Sequence, residues 1–481
     1  MDLFIILLAL GLLMFTAYRG FSVILFAPLC ALLAVALIDP SNILPFYSGI
    51  FMEKMVGFIK SYFPVFLLGA IFGKVIEMSG IAESIAKTIV RLIGPKQAML
   101  TIVLLGAILT YSGVSLFVAV FAIYPFAVQL FKEADIPKRL MPATIALGAF
   151  TFTMDAIPGT PQIQNVIPTQ FFGTTIYAAP VLGIIGGLVV LVTGLAYLEW
   201  RKRQAKRKGE GYYGMPGDDT ILKAEKDKGE DIQQSTYNPS ALRQVLAFVP
   251  LLSVALLNLY LTRAIPKWYE GGFDFTALSV MGYNADAYSV DVKASAAIWS
   301  VEIALIVGII TALIYGWGRV KTDFKAGLNV SIAGSLLAVM NTASEYGFGG
   351  IIAALPGFSK ISDGLSGLFT NPLVNGAVTT STLAGVTGSA SGGMMIALGV
   401  MEDKYNAMIA AANIDPEVMH RVISMASGGM DTLPHNGAVI TLLAVTGLTH
   451  RQSYKDIFAI TLIKTLAVFV VIALYTFFGI V

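Results

Sequence analysis

Two short polar stretches lie inside otherwise apolar parts of the sequence and contain the side chains best suited to chemistry. Residues 153–162 read Thr-Met-Asp-Ala-Ile-Pro-Gly-Thr-Pro-Gln, and residues 427–437 read Ser-Gly-Gly-Met-Asp-Thr-Leu-Pro-His-Asn-Gly. Both contain Met-Asp, one further residue, and then Ile or Leu followed by Pro. Because glycine and proline interrupt helices, each stretch predicts a broken helix with an acidic side chain at the break.

The two acids, Asp155 and Asp431, are candidates for carrying a proton or contacting a ligand. An ionisable side chain inside an apolar span is costly and is therefore functional by default. The alternative is structural, because Asp beside Pro commonly caps the start of a helix. Capping would still shape the site.

His435 lies in the second stretch and is the third candidate for proton coupling. Its imidazole titrates near neutral pH, which suits a proton switch or a hydrogen bond to a ligand. A packed, hydrogen-bonded histidine is the structural alternative. We expect His420 and His450 at segment boundaries, and Glu77 and Glu345 as interfacial or network residues, with a coupling role for the two glutamates as the alternative.

The composition indicates an integral membrane protein. Of the 481 residues, 56% are hydrophobic and 13% are charged, whereas soluble proteins carry about 25% charged residues. Apolar runs long enough to cross a bilayer recur along the whole chain. The basic residues lie between these runs, which argues against a nucleic-acid partner, and the single Cys30 argues against a disulfide framework or a metal cluster. The start, Met1-Asp2-Leu3, lacks the basic region of a cleaved signal, so the first segment is expected to be a retained span.

Residues 1–200 predict one structural repeat. Its spans are placed at 3–17, 21–38, 61–79 and 176–198, with an amphipathic interfacial helix at 81–93 and a broken helix at 140–170. Residues 97–131 have a polar tip between two apolar arms that are short for spans. This pattern predicts a re-entrant hairpin, whose tip must be buried in protein or face a cavity.

Residues 241–481 repeat this order. The spans are placed at 241–262, 294–316, 328–346 and 456–480, the hairpin at 372–400 and the broken helix at 417–448. Gly80 precedes Asp155 by 75 residues and Gly357 precedes Asp431 by 74, which favours an internal repeat. The predicted fold is therefore an all-α polytopic membrane protein with two repeats, about 10 full spans and 2 hairpins.

The charged segment 201–240 joins the repeats, and six of its first eight residues are basic. Such a run directly after a span marks the cytoplasmic side by the positive-inside rule. With both hairpins re-entrant, the other basic loops also fall on the cytoplasmic side, and both termini are external. The repeats then have opposite topology, which is the plan of many secondary transporters.

Four interruptions, two in broken helices and two at hairpin tips, are expected to converge near the middle of the membrane. Interrupted helices offer backbone N–H groups and positive dipole ends to a carboxylate. The candidate substrate ligands are Ser112, Gly113, Ser115, Thr160, Gln162, Asn165, Thr387, Ser389, Ser391, His435 and Asn436. None of the four interruptions contains Arg or Lys, which favours a monocarboxylate over di- or tricarboxylates.

The stretches 154–162 and 428–439, followed by Thr-Gly-Leu-Thr at 446–449, resemble the gluconate permease (GntP-type) family of the ion-transporter superfamily. The resemblance spans nearly the whole chain. Pro-His-Asn-Gly at 434–437 is more similar to the branch for short-chain hydroxy acids such as 3-hydroxybutyrate than to the gluconate branch. The resemblance implies a homodimer in the bacterial inner membrane, with a scaffold and a transport domain that moves as an elevator.

The function expected from these features is import of small organic monocarboxylates or hydroxy acids, 3-hydroxybutyrate- or gluconate-like, by symport with H⁺. The choice of H⁺ rests on the resemblance alone, because carbonyls and hydroxyls at the hairpin tips could also bind Na⁺. The alternative is therefore a Na⁺-coupled carboxylate symporter, including a citrate-like one. An anion channel would need a lined pore, and an enzyme would need a catalytic set that the sequence does not contain. No cofactor is expected.

Overall fold

The computed structural model describes all of the chain except residues 1, 20, 95–96, 115, 216–238, 271, 274, 277–289, 359–368 and 435. The secondary structure of the described residues is helical. In the predicted first repeat the helices are α1 Asp2–Tyr18, α2 Val23–Ile38, α3 Met52–Met78, α4 Ile81–Ile93, α5 Ala98–Tyr111, α6 Leu116–Glu133, α7 Met141–Ala149, α8 Phe152–Asp155, α9 Ile163–Val166, α10 Pro168–Phe172 and α11 Pro180–Arg207. Short helical turns over residues 40–51 lead into α3.

The second repeat contains the longest helix and the second set of breaks. Its helices are α12 Ala241–Leu246, α13 Val249–Trp268, α14 Val292–Ala354, α15 Pro372–Thr387, α16 Ala390–Ala411, α17 Pro416–Gly428, α18 Gly437–Thr446 and α19 His450–Phe478, with a 3₁₀ turn at Gly429–Thr432 between α17 and α18.

Five helical stretches among the described residues are long and apolar enough to cross a membrane. They are Pro40–Met78, Pro180–Arg207, Ala241–Trp268, Ser295–Ala354 and His450–Phe478. Shorter apolar helices of 10–17 residues include Val23–Ile38 and Ala98–Tyr111. The part of the chain that the structure describes is thus helical, with helices able to span a membrane, and the inverted topology and the number of spans stay predictions.

Helix α14 differs from the prediction of two separate spans at 294–316 and 328–346. Its 63 residues are two helical segments joined without a loop at a kink, where Gly316 has non-helical torsion angles (φ −123°, ψ 17°). The kink falls at the end of the predicted first span, and the connection before residue 328 is helical. At 1.5 Å per residue the two segments amount to about 95 Å of helix, enough for the two predicted spans, since the hydrocarbon core is ~30 Å thick. A Cβ on Gly316 would lie 2.3 Å from the Cβ of Ser79, so the bend sits where α14 crosses the end of α3.

The predicted linker begins later than residue 201. Helix α11 continues through Arg207, so most of the basic run is a helical extension of the preceding span. Residues 216–238, the middle of the linker, lie outside the described residues.

The helices pack as two groups that each take members from both repeats. Helix α14 packs along α3 and also contacts α2 and α13. In the other group, α15 packs against α16 and α17, and α19 packs against α11, α7 and α17. The hairpins and both broken helices belong to this second group, and α14 also packs against α16. The breaks therefore lie where elements of the two repeats meet.

Candidate functional site

The first broken helix is tied to the tip of the first hairpin. Residues 156–162 separate α8 from α9. The Gln162 side chain donates from Nε2 to the carbonyl oxygens of Thr110 (2.7 Å) and Val114 (3.1 Å). The Tyr111 hydroxyl donates to the carbonyl oxygen of Pro158 at 2.9 Å. Side chains thus satisfy carbonyl groups that the end of α5 and the break leave without helical partners.

The second broken helix is tied to the second hairpin in the same way. Asn436 donates from Nδ2 to the carbonyl oxygen of Gly388 at 2.8 Å, and its Oδ1 caps α18 by accepting from the N–H of Ala438. Gly388 has φ of 68°, a left-handed conformation that glycine adopts without strain. Gly113, at the first hairpin tip, has φ of 91°. Both hairpins therefore turn at a glycine beside an amide side chain of the broken helix.

The two broken helices also contact each other. Gln164 donates from Nε2 to Asp431 Oδ2 at 2.8 Å. Ser424 donates to the carbonyl oxygens of Asp155 (3.0 Å) and Gln164 (2.8 Å). The structure thus brings the two breaks and the two hairpin tips into one hydrogen-bonded assembly.

Asp431 lies at the centre of this assembly and is 5% exposed. Besides Gln164, its carboxylate accepts from the N–H of Ala390 (3.0 Å) and from Asn436 Nδ2 (3.1 Å). The prediction that Asp431 caps the start of its own resumed helix is wrong, because Asp431 lies in the 3₁₀ turn before the break. It instead binds the first N–H of α16, where the helix dipole favours an anion.

Asp155 also precedes its break and is the last residue of α8, so it does not cap a helix start either. Its Oδ1 lies 2.6 Å from Lys464 Nζ, and both side chains are fully buried. Lys464 also donates to the carbonyl oxygen of Met425 at 3.1 Å. Oδ2 has no hydrogen-bond partner among the described residues, and it faces Gly428, where a Cβ would lie 1.6 Å from it.

Arg421, in the second half of the chain, donates hydrogen bonds to residues around the first break. Its fully buried guanidinium donates to the carbonyl oxygens of Ala178 (2.7 Å) and Asp155 (2.5 Å) and to Asn165 Oδ1 (2.8 Å). The Asn165 amide donates in turn to the carbonyl oxygens of Thr160 (2.9 Å) and Ile176 (2.8 Å). Asn165 thus uses its side chain within the protein, which favours a supporting role over direct substrate contact.

The sequence predicts His420 at a segment boundary, but the residue lies inside α17. It is fully buried, with Nδ1 2.6 Å from Thr174 Oγ1 and Nε2 3.3 Å from Asn165 Oδ1. His450 is exposed at the start of α19, with Nε2 2.8 Å from the carbonyl oxygen of Pro434. His435 and Ser115, two further candidates, lie outside the described residues.

The remaining candidates differ in whether their polar atoms already form hydrogen bonds within the protein. Ser112 and Thr387 donate to carbonyl oxygens of their own helices, and Ser389 caps α16 by accepting from the N–H of Gly392. Ser391 Oγ lies 3.4 Å from Thr342 Oγ1. The buried Thr160 Oγ1 and Gln164 Oε1 have no partner among the described residues, so they could accept new hydrogen bonds.

Arg421 and Lys464 are not among the site residues predicted from the sequence. Lys464 lies within the predicted span 456–480, and Arg421 within the first arm of the predicted broken helix 417–448. The rule that an intramembrane charge marks a functional or paired site would have selected both. Their partners could not be found this way, because the acceptors of Arg421 and the acid paired with Lys464 lie in the first half of the chain.

A second charged cluster lies at one end of the bundle. Asp456 accepts from Arg139 (2.9 Å), from Arg201 (2.5 Å) and from the Tyr197 hydroxyl (2.8 Å). Arg139 also pairs with Glu210. The hydrogen bonds that Arg139 donates to Glu210 raise the pKa of its guanidinium. The cluster therefore joins two arginines, Arg139 and Arg201, to an acid of the last helix at this end of the bundle.

The chain matches no protein-family model. It is 66% identical over 482 residues to "Uncharacterized transporter YxjC" of Bacillus subtilis (strain 168), covering 100% of both chains. The crystal structure of the Alcanivorax borkumensis YdaH transporter matches with a TM-score of 0.51 at 16% identity, over 89% of this chain and 88% of that one. Neisseria gonorrhoeae MtrF matches with a TM-score of 0.46 at 12% identity, over 91% and 85% of the two chains. The likeness to YdaH shows a similar fold.

Proposed function

Because the chain belongs to the same transporter family as Bacillus subtilis YxjC, we propose that it is a proton-driven secondary carrier of small organic anions. It is a transporter and not an enzyme. The finer assignment, to a carrier of the gluconate permease type, rests on the two Met-Asp stretches and is part of the proposal.

One observation carries the proposal: four interrupted helical segments meet through side-chain hydrogen bonds. Gln162 and Asn436 each bind a hairpin tip, and Gln164 and Asp431 join the two breaks. Secondary transporters commonly place their substrate and coupling-ion sites at discontinuous helices where two repeats meet. Non-helical backbone at membrane depth is tolerated only where it is buried in protein or lines a cavity.

The charges around the breaks favour a substrate with one carboxylate. The guanidinium of Arg421 is used by carbonyl and amide oxygens, and the ammonium of Lys464 is paired with Asp155. Neither cation is therefore available to balance the second carboxylate of a dicarboxylate substrate. The free acceptors Thr160 Oγ1 and Gln164 Oε1, with the hydroxyls of Ser389 and Ser391, suit a substrate hydroxyl. We assign the substrate to short monocarboxylates and hydroxy acids of the 3-hydroxybutyrate or gluconate type.

The proposed transport cycle is an elevator movement in a homodimer in the bacterial inner membrane. The moving unit would be the group with both hairpins and both broken helices, and the scaffold would include α3 and α14. The proposed topology has external termini and a cytoplasmic 201–240 segment.

Uptake into proteoliposomes tests the function directly. Labelled 3-hydroxybutyrate, lactate, gluconate and citrate are offered under an inward pH gradient or an inward Na⁺ gradient, each alone. We expect uptake of the first or third compound driven by the pH gradient. Competition by citrate or succinate as strong as that by 3-hydroxybutyrate would contradict the monocarboxylate assignment.

Two substitutions test the site. Asp431→Asn and His435→Ala are both expected to reduce coupled uptake, with Arg451→Lys, an exposed position, as the matched control. Unchanged uptake in both variants would show that the substrate and the proton bind elsewhere.

The alternative functions give different results in the same vesicles. Uptake that follows only the Na⁺ gradient would identify a Na⁺-coupled carboxylate symporter. Single-channel currents carried by the anion would identify a channel.

A further inference from the structure

Glu345 is a buried acid that the site described above does not use. It lies on α14, is 3% exposed, and its Oε2 has no hydrogen-bond partner among the described residues. A Cβ built on Gly392 would lie 1.6 Å from Oε2, so the carboxyl is pressed against the first turn of α16. The sequence predicts Glu345 as an interfacial or network residue, with a coupling role as the alternative, and the structure shows its side chain buried within the protein. Glu77, its counterpart in the first repeat, is partly exposed and paired with Lys74 at 2.7 Å.

The three buried acids near the breaks differ in what surrounds their carboxyl groups. Asp155 is neutralised by Lys464 at 2.6 Å. Asp431 accepts three hydrogen bonds, which stabilise the ionised form. Among the residues that the structure describes, no cation pairs with Glu345 and no donor reaches its Oε2. A buried carboxylate without such partners is strongly disfavoured relative to the neutral acid.

Asp431 and Glu345 approach the same turn of α16. Asp431 binds the N–H of Ala390, while Glu345 faces Gly392 two residues later, and the two carboxyls interact electrostatically. Two like charges at one buried site cannot both remain ionised cheaply, so one acid holds a proton. Because three hydrogen bonds stabilise the ionised form of Asp431, the acid that holds the proton is Glu345.

We propose that Glu345 is the residue that binds the coupling proton, and this rests on the proposed proton-driven transport. The proton passes from water to the Glu345 carboxylate on the side of higher proton concentration and returns to water on the other side. While it is bound, the site loses one negative charge, which favours a substrate carboxylate beside Asp431. Proton and substrate then bind together, which is the condition for symport.

A cavity beside this part of α14 is the candidate route for the proton. On the elements packed against this part of α14, Lys54 lies 5.5 Å from the ring centre of Tyr346, and Glu402 interacts with that ring. An open cavity of about 520 Å³ is lined by Lys54, Gln170, Tyr346 and Met395, among others. Tyr346 follows Glu345 directly, and Met395 lies three residues beyond Gly392, so the cavity is lined by sequence neighbours of both residues.

The test compares Glu345→Gln with Glu77→Gln in proteoliposomes. Gln keeps the shape of the protonated acid and cannot release a proton. We expect Glu345→Gln to exchange labelled for unlabelled substrate at a rate within about threefold of wild type but to lose uptake driven by the pH gradient. Glu77→Gln is expected to keep both activities. A pH-sensitive dye inside the vesicles should report substrate-dependent acidification for wild type and Glu77→Gln only.

The possible results separate this proposal from the proposed function. If wild type takes up no substrate under a pH gradient, the proton-driven function itself fails. If wild type does and Glu345→Gln still does, Glu345 is not the proton site. Loss of exchange as well as uptake in a correctly folded Glu345→Gln protein would assign Glu345 to the architecture and overturn the proposal. Infrared difference spectra between acid and alkaline pH give a second readout, because the protonated-carboxyl signal of Glu345→Gln should lack the component that Glu345 contributes in wild type.

Discussion

Lys464 and Asp155 form an ion pair between the last helix and the first broken helix, with Nζ 2.6 Å from Oδ1 and both side chains fully buried. The pair therefore joins the two repeats at the point where the first helix breaks. Removing two charges from water costs several kcal/mol each, and their attraction compensates only while both are present. The pair therefore stabilises the arrangement of the broken helices seen here, and replacing either residue alone should destabilise the protein.

Lys464→Met is predicted to lower the free energy of unfolding by about 3–5 kcal/mol, because it leaves Asp155 buried without its counter-charge. The double variant Asp155→Asn with Lys464→Met should lose less than Lys464→Met alone. Denaturant or thermal unfolding in detergent micelles measures the free energy of unfolding of the single and the double variant. Lys74→Met is the control, since the Lys74–Glu77 pair is partly exposed and such pairs contribute about 0–1 kcal/mol. Equal losses for Lys464→Met and Lys74→Met would contradict this account.

Gly428→Ala is predicted to disrupt the first break through contact with Asp155. Its Cβ would lie 1.6 Å from Oδ2, so the carboxylate must move away from Lys464. Overpacking of this kind costs about 1–3 kcal/mol or more, and uptake should fall with it. Gly437→Ala, in the same sequence stretch, meets nothing within 4 Å, so its unfolding free energy should change by about 0.5 kcal/mol or less. A stable, active Gly428→Ala protein would show that the Asp155 side chain can relocate freely.

The sequence predicted helix bounds well where the spacing of apolar residues and the helix-breaking residues indicate the same ends. The amphipathic helix was expected at 81–93, and α4 has these bounds, because Gly80 and Gly94 lie on either side of it. The breaks at 156–162 and 433–436 follow from the proline and glycine residues within the two stretches. Helix α14 was predicted less well, since the basic residues at 319–325 indicated a loop although they are compatible with a continuing helix.

The pairing of the site could not be predicted, because its hydrogen bonds join residues distant in sequence. Gln164 and Asp431 are 267 residues apart, and Arg421 and Asp155 are 266 apart. The capping role expected for Asp155 and Asp431 was wrong for the same reason: a carboxylate beside a proline looks like a local cap, whereas Asp431 caps α16 across the hairpin. Whether the assembled residues bind substrate stays a prediction.

Arg421→Lys is predicted to destabilise the protein and to abolish uptake. The planar guanidinium serves Ala178, Asp155 and Asn165 at once, and an ammonium cannot reproduce this fork. Leaving buried acceptors unsatisfied costs about 1–3 kcal/mol for each group. Unfolding in detergent and uptake in vesicles measure the effect. Arg451→Lys, at an exposed position, should behave as wild type. If both variants were equally stable and active, the carbonyl groups around the first break would have to be satisfied without Arg421.

Asp456→Asn is predicted to loosen the end of the bundle where α11 and α19 meet. The carboxylate accepts from Arg139, Arg201 and Tyr197 and is 1% exposed. Asn cannot balance two partly buried guanidinium groups, so the free energy of unfolding should fall by about 1.5–3 kcal/mol, the contribution of hydrogen bonds to a charged group.

The loss should appear first near Glu210, because Arg139 holds both Asp456 and Glu210. Trypsin should therefore cleave after Arg207 or Lys208 faster in Asp456→Asn than in wild type, while exchange of substrate across the membrane is slowed less than in Arg421→Lys. Asp403→Asn, at an exposed position of α16, is the control and should leave both cleavage and stability unchanged. Cleavage at the wild-type rate in Asp456→Asn would show that Glu210 alone holds Arg139 and this end of α11 in place.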